Sequence, residues 1–314
     1  MRLRLLLGVC WLGVALAGCG LGAGDAPSGG GTELTVSRNF GAEELGSSKQ
    51  GSIPAGETVM RLLQRKFEVE TRYGGGFVQE IDGVSGGRRS GRPVDWFFYV
   101  NGIEAENGAA ARRLSPGDRV WWDHHDWGGA MRIPAVVGSF PEPFVSGSQG
   151  RRVPVRIDCA EGARRECEEV RTRLEDAGAK VGGFATIGSQ AEEGVLRLLV
   201  GPWSAVRRDP AARRIEGGPK VSGVFAVPSE RGDHLELLDP RGAKVHSLGA
   251  GSGLVAATRF LDQQPTWVVT GTDSVGVAAA AAALDEERLA DHFAVAIESG
   301  REIPLPLPAG GGTR

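Results

Sequence analysis

Asp95-Trp96-Phe97-Phe98-Tyr99-Val100-Asn101-Gly102 decides how the first half of this chain is read. Aromatic and β-branched residues suit a pleated, half-buried surface, so residues 95–100 predict a strand. Asn101-Gly102 tolerates positive φ at both positions and predicts a tight hairpin turn after it. Downstream, Ser115-Pro116-Gly117-Asp118 has Pro and Gly where a type II turn wants them, and it leads into a last strand, Arg119-Val120-Trp121-Trp122-Asp123. Upstream, Glu33-Leu34-Thr35-Val36-Ser37 alternates polar and apolar like a half-buried strand, and Phe77-Val78-Gln79-Glu80-Ile81 reads as another. Between them Thr58 is placed to cap a helix whose Val59, Leu62, Leu63 and Phe67 form one apolar stripe. Strand, helix, then several strands within residues 33 to 130 predict a small α+β domain with one helix lying across a sheet.

Several stretches, in order, resemble the transcobalamin-like C-terminal domain, also called DUF4430. They are Glu57-Thr58-Val59-Met60-Arg61-Leu62-Leu63, Val78-Gln79-Glu80-Ile81-Asp82-Gly83, and Trp96-Phe97-Phe98-Tyr99-Val100-Asn101-Gly102. Leu114-Ser115-Pro116-Gly117-Asp118-Arg119-Val120-Trp121-Trp122 completes the series. The resemblance covers residues 33 to about 127, roughly a third of the chain, and is specific as a set rather than in any one piece. It implies a β-grasp-like fold and a role in recognition. In vertebrate relatives such a domain closes over one face of a bound corrinoid, but the α/α barrel that accompanies it there has no counterpart here.

Side chains alternate along a strand, so either Trp96, Phe98 and Val100 or Phe97 and Tyr99 face the core. The rings on the other face, together with Trp121 or Trp122, would make an exposed stacking platform. The candidate ligand-binding residues are therefore Trp96, Phe97, Tyr99, Trp121 and Trp122, although core packing is the commoner fate of any single ring. Asp123-His124-His125-Asp126-Trp127 is the only metal-like cluster in the sequence. Adjacent His124 and His125 should point to opposite faces, and a tight site needs three or four converging ligands, so a solvated strand end is expected and no metal.

The N-terminus carries an address. Arg2 and Arg4 precede an apolar run of about 14 residues, too short to span a bilayer comfortably, that ends in Leu16-Ala17-Gly18-Cys19. This resembles the bacterial lipobox, which implies cleavage after Gly18 and lipidation of Cys19. Residues 1–19 are thus read as a lipoprotein signal peptide and residues 20–32, rich in Gly, as a tether. The expected location is extracytoplasmic, lipid-anchored to the cell membrane. Of the four cysteines, Cys10 leaves with the signal and Cys19 is acylated, so Cys159 and Cys167 remain as a pair and predict a disulfide. Lys and Arg number 36 against 39 Asp and Glu, with no basic patch, which argues against nucleic acid.

Residues 131–151 hold Pro134, Pro141, Pro143 and a Ser-Gly run, and read as a connector that starts extended and ends loose. Residues 152–300 then predict an α/β domain. A helix striped by Cys167, Val170, Leu174 and Ala177 follows a first strand, and buried-type strands recur at residues 195–200, 224–227, 234–238 and 254–258. Thr266-Trp267-Val268-Val269-Thr270, an Ala-rich helix and the strand at 292–297 read as strand–helix–strand with a right-handed crossover, in a sheet sandwiched by helices. Residues 301–314 read as an extended, loosely packed tail.

No catalytic constellation emerges: Ser, His and Asp occur without suggestive spacing, and Gly271-Thr272-Asp273 lacks the lysine of a phosphate loop, so capping is its expected role. Gly201-Pro202-Trp203, just past a strand's carboxyl end, is a candidate pocket wall. The expected function is non-enzymatic and cofactor-free. It is capture of a small molecule, with a corrinoid as the named candidate, for delivery to a transporter. The rival expectation is a surface-interaction lipoprotein that binds protein or cell-wall polymer and has no small-molecule pocket.

Overall fold

A computed structural model describes residues 31–147, 150–190 and 193–309. Cys19, most of the tether and the last five residues lie outside that range. The first half contains β1 (Thr32–Arg38), β2 (Glu43–Gln50), α1 (Val59–Gln64), β3 (Val69–Arg72), β4 (Phe77–Ile81) and β5 (Val84–Ser85). These are followed by β6 (Gly87–Arg89), β7 (Arg92–Val100), β8 (Ile103–Glu104) and β9 (Arg119–Asp126). The main sheet has the order β2-β1-β9-β7-β6, with β8 paired to β7, and β3-β4-β5 form a small second sheet. β1 runs parallel to β9 and α1 packs on the sheet, so the predicted α+β arrangement is present. Thr58 caps α1 by accepting from Arg61 N at 3.3 Å, and Val59, Leu62, Leu63 and Phe67 are buried.

The hairpin signal is realised locally. Asn101 and Gly102 take φ 55° and 73° between β7 and β8. Asn101 also joins the two motif halves: its Nδ2 donates to Asp118 Oδ1 at 2.8 Å and its Oδ1 accepts from Arg119 N at 2.8 Å. Asp118 Oδ2 accepts in turn from Ser115 N at 2.8 Å, which closes the Ser-Pro-Gly-Asp turn. The spacing of these motif residues thus reflects a buried amide–carboxylate lock that fixes β7 against β9.

The second half begins with β10 (Val155–Cys159), α2 (Arg164–Asp176), β11 (Val181–Thr186) and β12 (Leu196–Pro202). Three short helices follow, α3 (Trp203–Val206), α4 (Pro210–Arg213) and α5 (Pro219–Ser222), then β13 (Ala226–Pro228), β14 (Leu235–Leu238) and β15 (Lys244–Leu248). The chain ends with β16 (Gly253–Thr258), β17 (Thr266–Gly271), α6 (Ser274–Ala282), α7 (Glu286–Leu289), β18 (Ala294–Glu298) and β19 (Arg301–Leu305). Seven strands form one mixed sheet in the order β11-β10-β12-β17-β16-β18-β19. β17 and β18 are joined through α6 as the sequence suggests, but they are not neighbours, because the antiparallel strand β16 lies between them.

Helices cover the two faces of that sheet unequally: α2 and α6 lie on one, and the other receives only the short helices α3 and α4 beside the first sheet, so the expected helix sandwich is partly realised. α2 and α6 bury Cys167, Val170, Leu174, Val277 and Ala280 against Ile157, Leu198, Val255 and Trp267. The opposite face carries Leu199, Leu254, Val268 and Ala296, and it packs in one continuous core with Phe225, Trp203, Tyr99 and Trp121. The first sheet therefore supplies part of the cover that a second helix layer would have given. The connector is also packed rather than loose: Ile133, Val136, Val137, Phe140 and Phe144 are buried, and Phe144 meets Trp267 at 5.0 Å between ring centroids. Its apolar residues outweigh its prolines. The expected loose tail is a strand through Leu305, whose side chain is buried, and Leu307 N donates to Leu238 O at 2.9 Å.

Candidate functional site

β7 and β9 pair antiparallel with Trp96 opposite His124, Phe98 opposite Trp122 and Tyr99 opposite Trp121. Alternation sorts these residues onto two faces. Trp96, Phe98, Val100, Val120 and Trp122 join the core beneath α1, where Phe98 and Trp122 stack at 4.7 Å and Trp96 Nε1 donates to Val84 O at 2.8 Å. Phe97, Tyr99, Trp121, Asp123 and His125 share the other face. The structure does not leave that face open. Phe293, from the second half, meets Trp121 at 5.0 Å and Tyr99 at 5.6 Å, both edge to face.

The exposed aromatic platform is therefore corrected. Trp96, Tyr99, Trp121 and Trp122 are all buried, and Phe97 is half-buried against the shared core. The physical reason is that the apolar face of each sheet is covered most cheaply by the other. The solvated strand end is corrected too, since Asp123, His124, His125 and Asp126 are all buried.

That strand end forms a polar knot. Asp123 accepts from Ser37 Oγ at 2.6 Å, Phe40 N at 3.0 Å and Gly41 N at 2.9 Å, with His125 Nδ1 2.8 Å from its Oδ1. Trp121 Nε1 donates to Ser37 Oγ at 2.8 Å. A carboxylate only accepts, so His125 is the donor in its contact with Asp123. The His125 ring lies between Phe40 and Phe97, at 4.6 and 4.5 Å, both stacked. His124 turns to the opposite face, as alternation predicts, and reaches Ser85 O at 3.1 Å through Nε2. A carbonyl only accepts, so Nε2 carries the proton and Nδ1 is the acceptor of a neutral ring. Burial holds the His124 pKa below its ordinary value, which keeps the ring neutral. Among the described residues no group of three or more His, Cys, Asp or Glu is placed to hold a metal ion.

The turn that Asp123 secures is where the two halves meet. A Cβ added to Gly41, at φ +80°, would sit 1.8 Å from Asp291 O, and one on Gly138 would sit 2.6 Å from His292 N. Glycine is what allows these backbones to touch. Beside the contact opens a cleft of about 900 Å³. Phe40, Val94, Leu305 and Leu307 supply apolar wall, and Arg89, Arg92, His124 and His292 supply polar groups. Arg92 Nη1 lies 3.4 Å from Asp126 Oδ2, whereas Arg89 has no ion pair or side-chain hydrogen bond among the described residues. Burial lowers the His292 pKa as it does that of His124. With Nε2 of His124 held by Ser85 O, that ring has only its Nδ1 acceptor left, whereas a neutral His292 has one donor and one acceptor. A mostly apolar cleft with a few convergent polar groups and a cationic rim is suited to a small molecule with an anionic or polar edge.

The other sequence candidates are structural. Cys159 and Cys167 form the disulfide, with Cα atoms 6.2 Å apart, between the end of β10 and the first turn of α2. Asp273 caps α6 by accepting from Gly276 N at 2.9 Å and from Gly251 N at 2.8 Å, which uses both oxygens. Trp203 is buried, and its Nε1 donates to Glu216 at 3.1 Å. Sequence reasoning missed the cleft, Ser37, Phe40 and Phe293. One signal was available: Trp121, Asp123 and His125 recur at every second position beside Trp122 and His124, which suits a strand covered on both faces.

No curated protein matches the chain. Among solved structures, "a putative metal binding protein" from Ruminococcus gnavus ATCC 29149 is similar at 13% identity over 31% of this chain and 98% of that one, with a TM-score of 0.24. Residues 56–126, from the turn before α1 to the end of β9, match the family described as Domain of unknown function (DUF4430), the family that the motifs of this half resemble.

Proposed function

We propose that this protein is a lipid-anchored, extracytoplasmic, non-enzymatic binding protein that captures a small molecule in the cleft between its two halves and passes it to a transporter. The cleft carries this reading: it is large, mostly apolar, and bounded by the end of the DUF4430 stretch on one side and the C-terminal strand on the other. The Leu16-Ala17-Gly18-Cys19 lipobox supports the anchor, and a Cys19→Ala chain should be released from membranes. A corrinoid is the first ligand to test, with its seat moved from the aromatic face to the cleft.

The test is calorimetric titration of the chain beginning at Gly20 with cobalamin and related corrinoids. Micromolar or tighter binding, about −8 kcal/mol, that is abolished by Ala42→Trp supports capture in the cleft. Ala42 is exposed on the cleft wall, so that substitution fills space without disturbing the core. No heat from a folded chain removes the corrinoid and leaves the surface-interaction lipoprotein as the working alternative.

A further inference from the structure

A second pocket, of about 640 Å³, lies in the α/β half, between the loop that follows β11, helix α4 and the turn joining β16 to β17. Its floor is a buried patch of charge on an otherwise apolar sheet face. Arg197, 5% exposed, donates to Asp158 at 3.2 Å and to both oxygens of Asp209 at 2.7 and 3.2 Å. Arg156 Nε donates to the other oxygen of Asp158 at 2.7 Å. Asp209 Oδ1 also accepts from Ala211 N at 2.9 Å and Ala212 N at 3.3 Å, so both of its oxygens are engaged. Burying such a set costs desolvation that apolar side chains of similar size would avoid.

The pocket wall adds two cations and no further carboxylate. Arg208 is exposed and makes no side-chain hydrogen bond or ion pair among the described residues. Arg214 lies with its guanidinium carbon 4.7 Å from the centroid of the Phe260 ring, and its Nε is buried without a partner. Phe260 itself is 41% exposed. The lining thus sets three arginines against one aspartate whose oxygens are already used, next to a flat aromatic and guanidinium surface. Ser189 and Gln190 complete the rim with neutral polar side chains.

We infer that this pocket is a second ligand site, separate from the cleft, and that it takes a planar aromatic ring bearing a carboxylate or phosphate. The ring stacks on Phe260 and Arg214, and the anionic group pairs with Arg208. Stacking on a guanidinium plane and pairing with a free cation each favour this class over a neutral or aliphatic ligand.

The experiment titrates the full chain in detergent micelles with benzoate, phenyl phosphate and the neutral analogue benzamide, followed by calorimetry. Either anion should bind and benzamide should not, and the stronger anion identifies which group the pocket prefers. Binding should weaken as salt rises. Phe260→Ala and Arg208→Ala, both at exposed side chains, should each weaken binding about tenfold, and Ala42→Trp in the cleft should leave it unchanged. No binding of either anion at millimolar concentration by a folded chain overturns the site. So does binding that neither Phe260→Ala nor Arg208→Ala alters.

Discussion

Phe293 meets Trp121 edge to face, with ring centroids 5.0 Å apart, although Trp121 lies in β9 of the first sheet and Phe293 directly precedes β18 of the second. Tyr99, Phe40 and Phe225 enclose the same contact, so the two halves share one apolar core. A ring that would have been a ligand platform on an isolated domain is here the seam between two layers.

This seam predicts cooperative unfolding. Phe293→Ala should cost about 3–5 kcal/mol, as large-to-small changes at buried rings do. Scanning calorimetry of the unsubstituted chain should show one transition. Two well-separated transitions in that chain would mean that the halves fold independently and that the shared core contributes little.

Asn101→Ala removes the amide that holds Asp118 and leaves Arg119 N without its acceptor, at a residue with φ 55°. Three groups left unpaired, Asp118 Oδ1, Gly147 O and Arg119 N, and a left-handed alanine should together cost roughly 2–4 kcal/mol. Denaturant midpoints of the variant and parent measure this. A loss below about 0.5 kcal/mol would show the lock to be incidental.

Asp291 predicts a pH dependence. Burial, and the negative charges of Glu44, Asp123 and Glu33, push its pKa up to about 6. A carboxyl with a raised folded-state pKa stabilises the fold while protonated. That stability is fully present below the unfolded value near 3.8 and is lost as pH rises through about 6. Asp291→Asn keeps a side chain that tolerates the residue's positive φ of 57°. It should therefore raise stability by about 1 kcal/mol at pH 7, after allowance for partial solvent screening, and by little at pH 4. Equal effects at the two pH values would refute the assignment.

Replacing Cys159 and Cys167 together by Ser should lower stability by about 2–3 kcal/mol, the loop-closure contribution for so short a loop. Thermal melts with and without reductant provide the check. Insensitivity of the parent to reduction, with reduction verified by thiol titration, would count against a stabilising bridge.

Much of the first half was legible because its signals are local. Thr58 and the Val59, Leu62 and Leu63 stripe specify a capped helix within two turns of chain, and Asn101-Gly102 specifies its own turn through φ alone. The Cys159–Cys167 pair was legible by elimination. Less of the second half could be read in advance: β17, α6 and β18 were visible as elements, but the insertion of β16 between the strands was not, because sheet order is a property of pairing rather than of period. The tail and connector were misjudged because Pro was weighed above Leu305, Val136 and Phe140, which bury well beside it.

The sequence by itself determined where strands, turns and the first helix fall, and that β7 and β9 present two chemically distinct faces. Only the tertiary structure decided what covers the second face. Alternation says that Tyr99, Trp121 and His125 point the same way, but not whether water, a ligand or Phe293 lies opposite them. The cleft was undetermined for the same reason. Phe40, Arg92, His124, His292 and Leu305 come from separate segments, and no local period records a surface that exists only once two sheets have packed.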